Sequence, residues 1–497
     1  MYNRIIESAL NRAGEYNLSN VLLVLYQSSE DGSSQTKKID ISQIIAEISI
    51  FESIYDKTLS GAITLVDAQN LLGFLPLTGF ERLEFKLRTP SITKQFDFTE
   101  ETGHPLFIYK VSNRVEVNPR TQGYTLNFVS KEFIVNQQIR LNHASKKEIS
   151  NIIIDIVQGS EYLNSAKNIY IEETAGIQKY VHTSLKPFEA IDMLSLDAKS
   201  KYYHNAGMYF YETANGFNFR SLENMLVSSV DSPRTSVAKF SPKTANVRND
   251  LGNRRILEDM TTIRNFKILS QFDTLKNIRE GVYASKLITH DNFNKTYKQY
   301  NFNYETEFPL AHHTESDQGK KTSIGAILPD LNFKSGKKIS DFNEGTQYFL
   351  SDTENIHSNS GNYTEKLPIE SILQRRLSQR LAFEAFRVEL ELFGFTGLSS
   401  GDIVDIDIPS YEEYEPRKIK DIDPTASGRY LVTSIRHIIN FRDTTHFMHI
   451  ECLKDSIAKS YPDQDIDTFT HKEKDKRLNA DNGIFSIKEL DDKDIIF

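Results

Sequence analysis

The stretch RYLVTSIRHIINFRDTTHFMHIECLKD, residues 429–455, reads as a β-hairpin in which apolar and polar residues alternate. A similar hairpin stands much earlier, IYKVSNRVEVNPRTQGYTLNFVSKE, residues 108–132. Tyr109 and Val111 align with Tyr430 and Val432. With one residue of slippage, Tyr124, Leu126 and Phe128 align with His446, Met448 and Ile450. In the later hairpin the apolar face shifts after Thr433, the signature of a β-bulge. A hairpin that occurs twice predicts a duplicated β domain.

Working outward from the earlier hairpin, residues 20–132 read as strands. RLEFKLR sets Leu83, Phe85 and Leu87 on one face and Arg82, Glu84, Lys86 and Arg88 on the other, the period-2 alternation of a half-buried strand. YKVSNRVEV repeats the pattern, with Tyr109, Val111, Val115 and Val117 apolar. AQNLLGFLPLTG leaves room for one helical turn. Around the later hairpin, LSSGDIVDIDIPS places Val404, Ile406 and Ile408 on one face and Asp405 and Asp407 on the other.

Between the two β segments the periodicity changes. Ser145 and Glu148 form a capping-box pattern ahead of Ile149, Ile152, Ile153, Ile156 and Val157, and Gly159 closes that helix. PFEAIDMLSLDAKS predicts a second helix with Pro187 in its first turn. Asn215-Gly216 between aromatic-rich runs predicts a hairpin. Residues 231–310 look mixed, and 311–365 turn polar, as a surface arm or linker would. LPIESILQRRLSQRLAFEAF predicts a helix with the stripe Ile369, Leu373, Leu377 and Leu381, and with Arg375, Arg376 and Arg380 on a solvated face.

The expected fold class is α+β, mainly β: two tandem-related antiparallel β-barrels with a small inserted α+β domain and a peripheral mixed region. The expected domains are 1–135 (first barrel with an N-terminal helix), 136–230 (α+β), 231–365 (mixed, with the polar arm), 366–453 (helix plus second barrel) and 454–497 (a flexible charged tail). The N-terminal helix would present Ile5, Ile6, Leu10 and Ala13.

The 497 residues suffice for roughly three or four domains. No apolar run is long enough to span a bilayer, and the first residues lack the apolar core of a signal peptide, so no membrane insertion by this chain is expected. The net charge of −9 argues against a surface that grips nucleic acid, though not against an acidic wall past which DNA slides. The one cysteine, Cys452, sits in a strand pattern and reads as a buried thiol.

Motifs for chemistry are missing. The sequence has no phosphate loop, no Gly-x-Ser-x-Gly elbow and no His-Glu-x-x-His. GFTGLSSG at 394–401 reads as a turn, and the calcium-like DQDID at 463–467 lacks the later glycine and glutamate of a calcium loop. His446 and His449, three apart on a strand, point to opposite faces, and His437 stands among Leu431, Ile435 and Ile439. His312-His313 falls in the polar arm. No catalytic, cofactor-binding or metal residues are nominated, no cofactor is expected, and the chain reads as a structural protein rather than an enzyme.

The order and spacing of three sets of segments carry a family resemblance. They are FESIYDKTLSGAITLVDAQN with RLEFKLR, KPFEAIDMLSLDAKS with GMYFYETANGFNF, and GLSSGDIVDIDIP with GRYLVTSIRHIIN. Together they resemble the baseplate central hub protein of T-even-like contractile-tailed phages, a family with two tube-type barrels. The resemblance covers roughly residues 20–453. It implies a homotrimeric ring that adapts the six-fold tail tube to the three-fold cell-puncturing spike. It also implies a channel through which DNA passes without specific binding. The implied partners are further copies of the chain, the spike protein, the tail tube or its initiator, and neighbouring baseplate proteins. The implied location is the tail baseplate of a virion assembled in the host cytoplasm. The alternative is a hub component of a bacterial contractile injection or type VI secretion-like spike. The polar 454–497 segment does not resemble the β-helical needle such spikes carry, so a needle is expected on a separate chain.

Overall fold

Twelve of the fourteen strands of the largest sheet fall into two sets of six. The first set is β1 (Leu22–Ser28), β2 (Ile45–Ser53), β3 (Ser60–Asp67), β4 (Arg82–Glu84), β5 (Leu106–Asn118) and β6 (Thr121–Ser130). The second is β7 (Ala238–Pro242), β8 (Asn265–Ser270), β9 (Phe386–Phe393), β10 (Ile403–Ile406), β11 (Gly428–Asn440) and β12 (Thr445–Lys454). The computed structural model describes residues 10–28, 34–75, 77–90, 92–204, 207–229, 232–242, 256, 258–291, 295–315, 322–323, 336–352, 369–409, 422–423 and 425–457. Residues 1–458 make one compact unit; the second, 459–497, lies outside the described residues.

The first set runs across its sheet in the order β2-β3-β6-β5-β4-β1, and the second in the order β8-β9-β12-β11-β10-β7. Counted along the chain, the two orders are identical. The five neighbour contacts are antiparallel in both sets, except that β7 runs parallel to β10 where β1 runs antiparallel to β4. The duplication predicted from the hairpins is therefore present in topology. Both hairpins pair a 13-residue strand with a 10-residue strand.

The pairing corrects the alignment made from sequence. In β11 the bulge falls at Thr433, as expected, and in β5 the corresponding bulge falls at Tyr109. Leu106, and not Tyr109, therefore matches Tyr430, and Tyr124 matches Met448 instead of His446. The slip arose because two further bulges distort β5 between Ser112 and Asn118.

The expected barrels are also corrected. The two sets join through β2 and β11, Ser53 opposite Ser434 through Glu47 opposite Asn440, into one continuous sheet. No closed barrel is present among the described residues. Each set still has its own core. Ile48, Ile63, Leu83, Leu126 and Phe128 are fully buried in the first, and Phe240, Val388, Leu390, Tyr430 and Ile450 in the second. Each such side chain contributes roughly 1.5–3 kcal/mol by leaving water. Gly61 gives Phe128 its place: a Cβ there would stand 2.1 Å from the ring and 2.4 Å from the Ser49 carbonyl.

RLEFKLR breaks at Phe85 into two short strands in different sheets. Its polar face is open to water only at Lys86 and Arg88, since Arg82 and Glu84 are buried and ion-paired at 2.8 Å. The larger departure is β5, whose apolar residues Tyr109, Val111, Val115 and Val117 are all exposed.

The insertion between β6 and β7 holds helices α1 (Ile149–Gln158) and α2 (Pro187–Asp197) and the hairpin Met208–Thr213 with Gly216–Ser221. The capping box is corrected: Ser145 lies in a short strand opposite Tyr180, and Glu148 is the N-cap residue. The Thr174 hydroxyl instead accepts the Ser150 N–H at 3.0 Å, so the cap comes from a distant loop. Pro187 does open α2. The hairpin turn sits one residue earlier than Asn-Gly predicts, because Gly216 already pairs with Thr213. Gly216 has φ 123°, and a Cβ there would meet the Asn168 carbonyl at 2.2 Å.

The segments read as peripheral are partly central, since β7 and β8 belong to the second β set. The polar arm is not structureless in its described part: Gln347–Asp352 is a strand parallel to Ala284–Asp291. The helix α3 (Ile369–Phe383) buries Ile372, Gln374, Ser378 and Phe383, while Leu373, Leu377 and Leu381 are half-buried. Polar residues face inward there because Gln374 donates to the Ser285 carbonyl at 3.0 Å and Ser378 to the Val282 carbonyl at 2.8 Å. Its arginines are engaged too: Arg375 with Glu307 at 2.8 Å, Arg376 with the Leu196 carbonyl and Arg380 with Glu384. Most of the expected N-terminal helix, and the tail from 458 onward, lie outside the described residues. Lys454–Ile457 do not begin a tail, for Lys454, Asp455 and Ser456 are buried.

Candidate assembly surface

The join between the two β sets shows what an edge of this sheet binds. β11 pairs with β12 along one side. On its other side it pairs with β10 through residues 428–431 and with β2 through 434–440. Its equivalent, β5, pairs with β6 along one side and with β4 through Leu106 and Phe107 on the other. Ile108 still donates to the Glu81 carbonyl at 2.9 Å. From Lys110 to Asn118, no described strand bonds that side.

The other open edge belongs to β8, the equivalent of β2. β8 pairs with β9, and no described strand bonds its far side. Beside the terminal strands Ser34–Asp40 and Thr262–Ile263, the duplicated sheet thus has two unlike free stretches, one of each kind that is joined at its middle.

Both edges are flanked by apolar residues in water. Beside β5 stand Val115, 59% exposed, with Val117 and Val66. The missing side chain of Gly123 lets the Val115 and Val117 methyls lie over the sheet. Beside β8 are Ile268, Leu269, Phe272 and Leu275, the last 81% exposed. Free backbone with exposed aliphatic side chains marks a surface built for contact.

Buried ionisable groups tie the β sets to the insertion. Glu52, at the end of β2, accepts from Ala214 N–H at 2.9 Å and from Ser400 N–H at 3.3 Å. One carboxylate therefore ties the first set to the insertion and to the second set. Burial raises it to about 7, against the opposing pull of Lys94 and the two amide bonds. Lys167 lies between Glu132 and Glu212 at 2.7 and 2.6 Å, all three buried, and Glu212 also accepts Leu59 N–H at 2.9 Å.

Of the histidines in and near the later hairpin, His437 and His446 are buried and His449 is half-buried. His437 Nδ1 and His446 Nε2 are 3.1 Å apart, an encounter that strand spacing alone did not reveal. His449 points to the opposite face, as expected. Burial lowers His446 to about 3 and holds His437 well below its ordinary range. His313 is also buried, bonded to Asp455 at 2.7 Å. Cys452 is a buried free thiol whose pKa burial raises. Among the acidic strand positions, Glu84 is paired with Arg82 and Lys38, and Asp407 with Lys239 at 2.9 Å. No group of three metal-ligating side chains occurs among the described residues, and no described helix is long and apolar enough to cross a membrane. The calcium-like segment 463–467 lies outside them.

No protein-family model matches the chain, and no curated protein matches it. Several solved structures are similar at distance. A tail protein from Neisseria meningitidis MC58 aligns over 89% of this chain and 97% of its own, with 10% identity and a TM-score of 0.47. The 43 kDa tail protein of prophage MuSo2 from Shewanella oneidensis aligns over 87% and 98%, with 9% identity and a TM-score of 0.44. A chain of the Francisella PdpA-VgrG complex aligns over 92% and 56%, with 10% identity and a TM-score of 0.42. With every TM-score below 0.5, these are likenesses at a distance, and the functional reading stands on the chain's own strand arrangement.

Proposed function

We propose that the chain is a structural component of a contractile phage tail, the hub of its baseplate. Three copies close into a ring of six similar β sets. Such a ring has exact three-fold symmetry and approximate six-fold symmetry, so one face suits a six-fold tail tube and the other a three-fold spike. The single observation that supports this reading is the repeated strand order, which leaves one unpaired stretch of each joining kind, on β5 and on β8. Heterologous edges of this sort give a ring when the rotation closes. The number three comes from the resemblance in the sequence.

In this reading the partners are other copies of the chain, the puncturing spike, the tube or its initiator, and adjoining baseplate proteins. DNA passes through the channel unbound. Three copies at −9 carry −27, and that charge does not retain a polyanion. The chain has no catalytic role here; its buried charges join domains.

Negative-stain images of the purified protein test the proposal. A ring with a central hole, three-fold in averages and nearly six-fold at its rim, is the expected result. Reproducible cell-wall hydrolysis by the pure chain, or particles with no hole, would overturn it.

A further inference from the structure

Lys167 is enclosed with two carboxyl groups away from water. It lies just ahead of the short strand Ile169–Ile171, while Glu132 lies in the helix Lys131–Gln138 and Glu212 in the strand Met208–Thr213. None of the three side chains is more than 1% exposed. The Lys167 amine stands 2.7 Å from Glu132 Oε2, 2.6 Å from Glu212 Oε1 and 5.5 Å from the centre of the Phe217 ring. The two carboxyls are held differently. Glu132 Oε1 accepts from the Ser165 hydroxyl at 2.6 Å, and Glu212 Oε2 accepts from the Leu59 N–H at 2.9 Å. Burial, opposed by Lys167, raises the pKa of Glu212 and favours its protonated form. Against the same burial, the charge and hydrogen bond of Lys167 hold Glu132 below its ordinary range, as a carboxylate.

One ammonium between two carboxylates would leave a net negative charge in a dry site, and a proton on Glu212 removes it. An amine, a carboxylic acid and a carboxylate are then in contact, and these are the reactants for an amide bond. We propose that Lys167 Nζ and Glu212 Cδ condense into an isopeptide bond, with Glu132 as the proton acceptor. Glu132 takes one proton from the ammonium, and the lone pair of the neutral amine attacks Cδ. The N–Cδ bond forms and the bond from Cδ to the hydroxyl oxygen Oε1 breaks. That oxygen leaves as water, carrying its own proton and a second one from the amine. Glu132 ends protonated, so charge and protons balance and no oxidant or co-reactant is needed. The Leu59 N–H stays on Oε2, where negative charge develops during the attack. Folding supplies the contact that two such groups rarely make in water. Lys454 is equally buried, but its amine donates to the Thr425 and Ser427 carbonyls at 2.6 and 2.9 Å, which offer no acid for condensation. The bond lies within the insertion and does not depend on the ring.

Mass spectrometry of the unfolded full chain tests the bond. The unmodified chain should weigh less than its sequence by one water. Lys167→Arg, carried through the same purification, should show no such loss and so accounts for any trimming at the N-terminus. Trypsin should fail to cut after Lys167 and should leave one branched species joining the peptides that carry Lys167 and Glu212. Glu212→Ala should keep its full weight. Glu132→Gln should stay mostly unlinked, although Lys167 and Glu212 are both present. An unmodified chain of full weight, with no branched peptide after prolonged incubation in the folded state, would overturn the bond and leave an ion triad only. A branch to Glu132 instead of Glu212, or an equally complete link in Glu132→Gln, would overturn the roles assigned. If the variants do not fold, the mass and the branched peptide of the unmodified chain decide alone.

Discussion

Tyr109 and Thr433 hold the same position in the two halves of the chain, each being the residue that the first bulge leaves without a cross-strand partner. Their surroundings are opposite. Thr433 is buried, its hydroxyl donating to the Glu451 carbonyl at 3.0 Å and its own carbonyl accepting from Ile54 N–H at 2.9 Å. Tyr109 is 53% exposed. Thr433 is covered by the chain as it leaves β2; in the proposed ring the next copy's chain leaving β8, where Phe272 stands exposed, would take that place over Tyr109.

Tyr109→Ala and Phe272→Ala are therefore expected to weaken the ring while leaving the folded chain intact. Each should raise the dissociation constant by roughly tenfold, on the order of 1.4 kcal/mol. Sedimentation at several concentrations reads the first effect and thermal melting of the dissociated chain the second. An unchanged constant for both variants would remove these residues from the interface.

Lysine placed on the free edge should act more strongly. Val115→Lys and Val117→Lys together put two charges where the proposed joint would exclude water, as natural edge strands do to prevent pairing. Assembly should be lost with no fall in melting temperature, because both positions are exposed in one copy.

Glu52 predicts a pH dependence with a definite sign. Its folded pKa of about 7 lies above the ordinary 4.5, so the folded chain holds a proton that the unfolded chain releases. That contribution is complete below the unfolded value and is lost as pH rises from there through about 7. Its full size is on the order of 3 kcal/mol. Denaturant unfolding between pH 5 and 8 should show it, and Glu52→Gln should flatten the slope. An equal slope in the variant would rule Glu52 out as its source.

The histidine pair acts in the opposite direction. Depressed folded values mean that the unfolded chain takes up protons first, so stability is present above the ordinary histidine range and is lost as pH falls through it. Replacing both rings, His437→Leu with His446→Leu, should make acid unfolding shallower. Neutral stability should change little, because both polar partners are removed together.

Much of this architecture was legible in the sequence because its signals are local. The hairpins, the bulge at Thr433, the helix opened by Pro187 and the buried thiol each follow from a pattern within a few residues. The failures have one physical cause, which is that period-2 and period-3.6 patterns report side-chain chemistry without saying what lies opposite. Val115 and Val117 read as the apolar face of a strand and are surface; in α3 the buried face includes Gln374 and Ser378, which lie outside the apolar stripe and are buried against carbonyls. The His437–His446 contact and the Glu52 junction join residues from separate strands or domains, so no spacing rule reaches them. The free edges were invisible for the same reason, since an unpaired strand has the sequence of a paired one.

Losing the salt bridge inside the insertion should be costly. Lys167→Ala leaves Glu132 and Glu212 buried without their cation, and a fall of roughly 3–5 kcal/mol is expected in denaturant unfolding. Lys167→Ala combined with Glu132→Gln and Glu212→Gln should recover part of it.

The most direct test of the ring is the mass of the purified chain in solution, by light scattering across a range of concentrations. The account predicts a species of three chains of 57.0 kDa each that gives way to monomer on dilution. A monomer throughout, or a closed dimer, would contradict it.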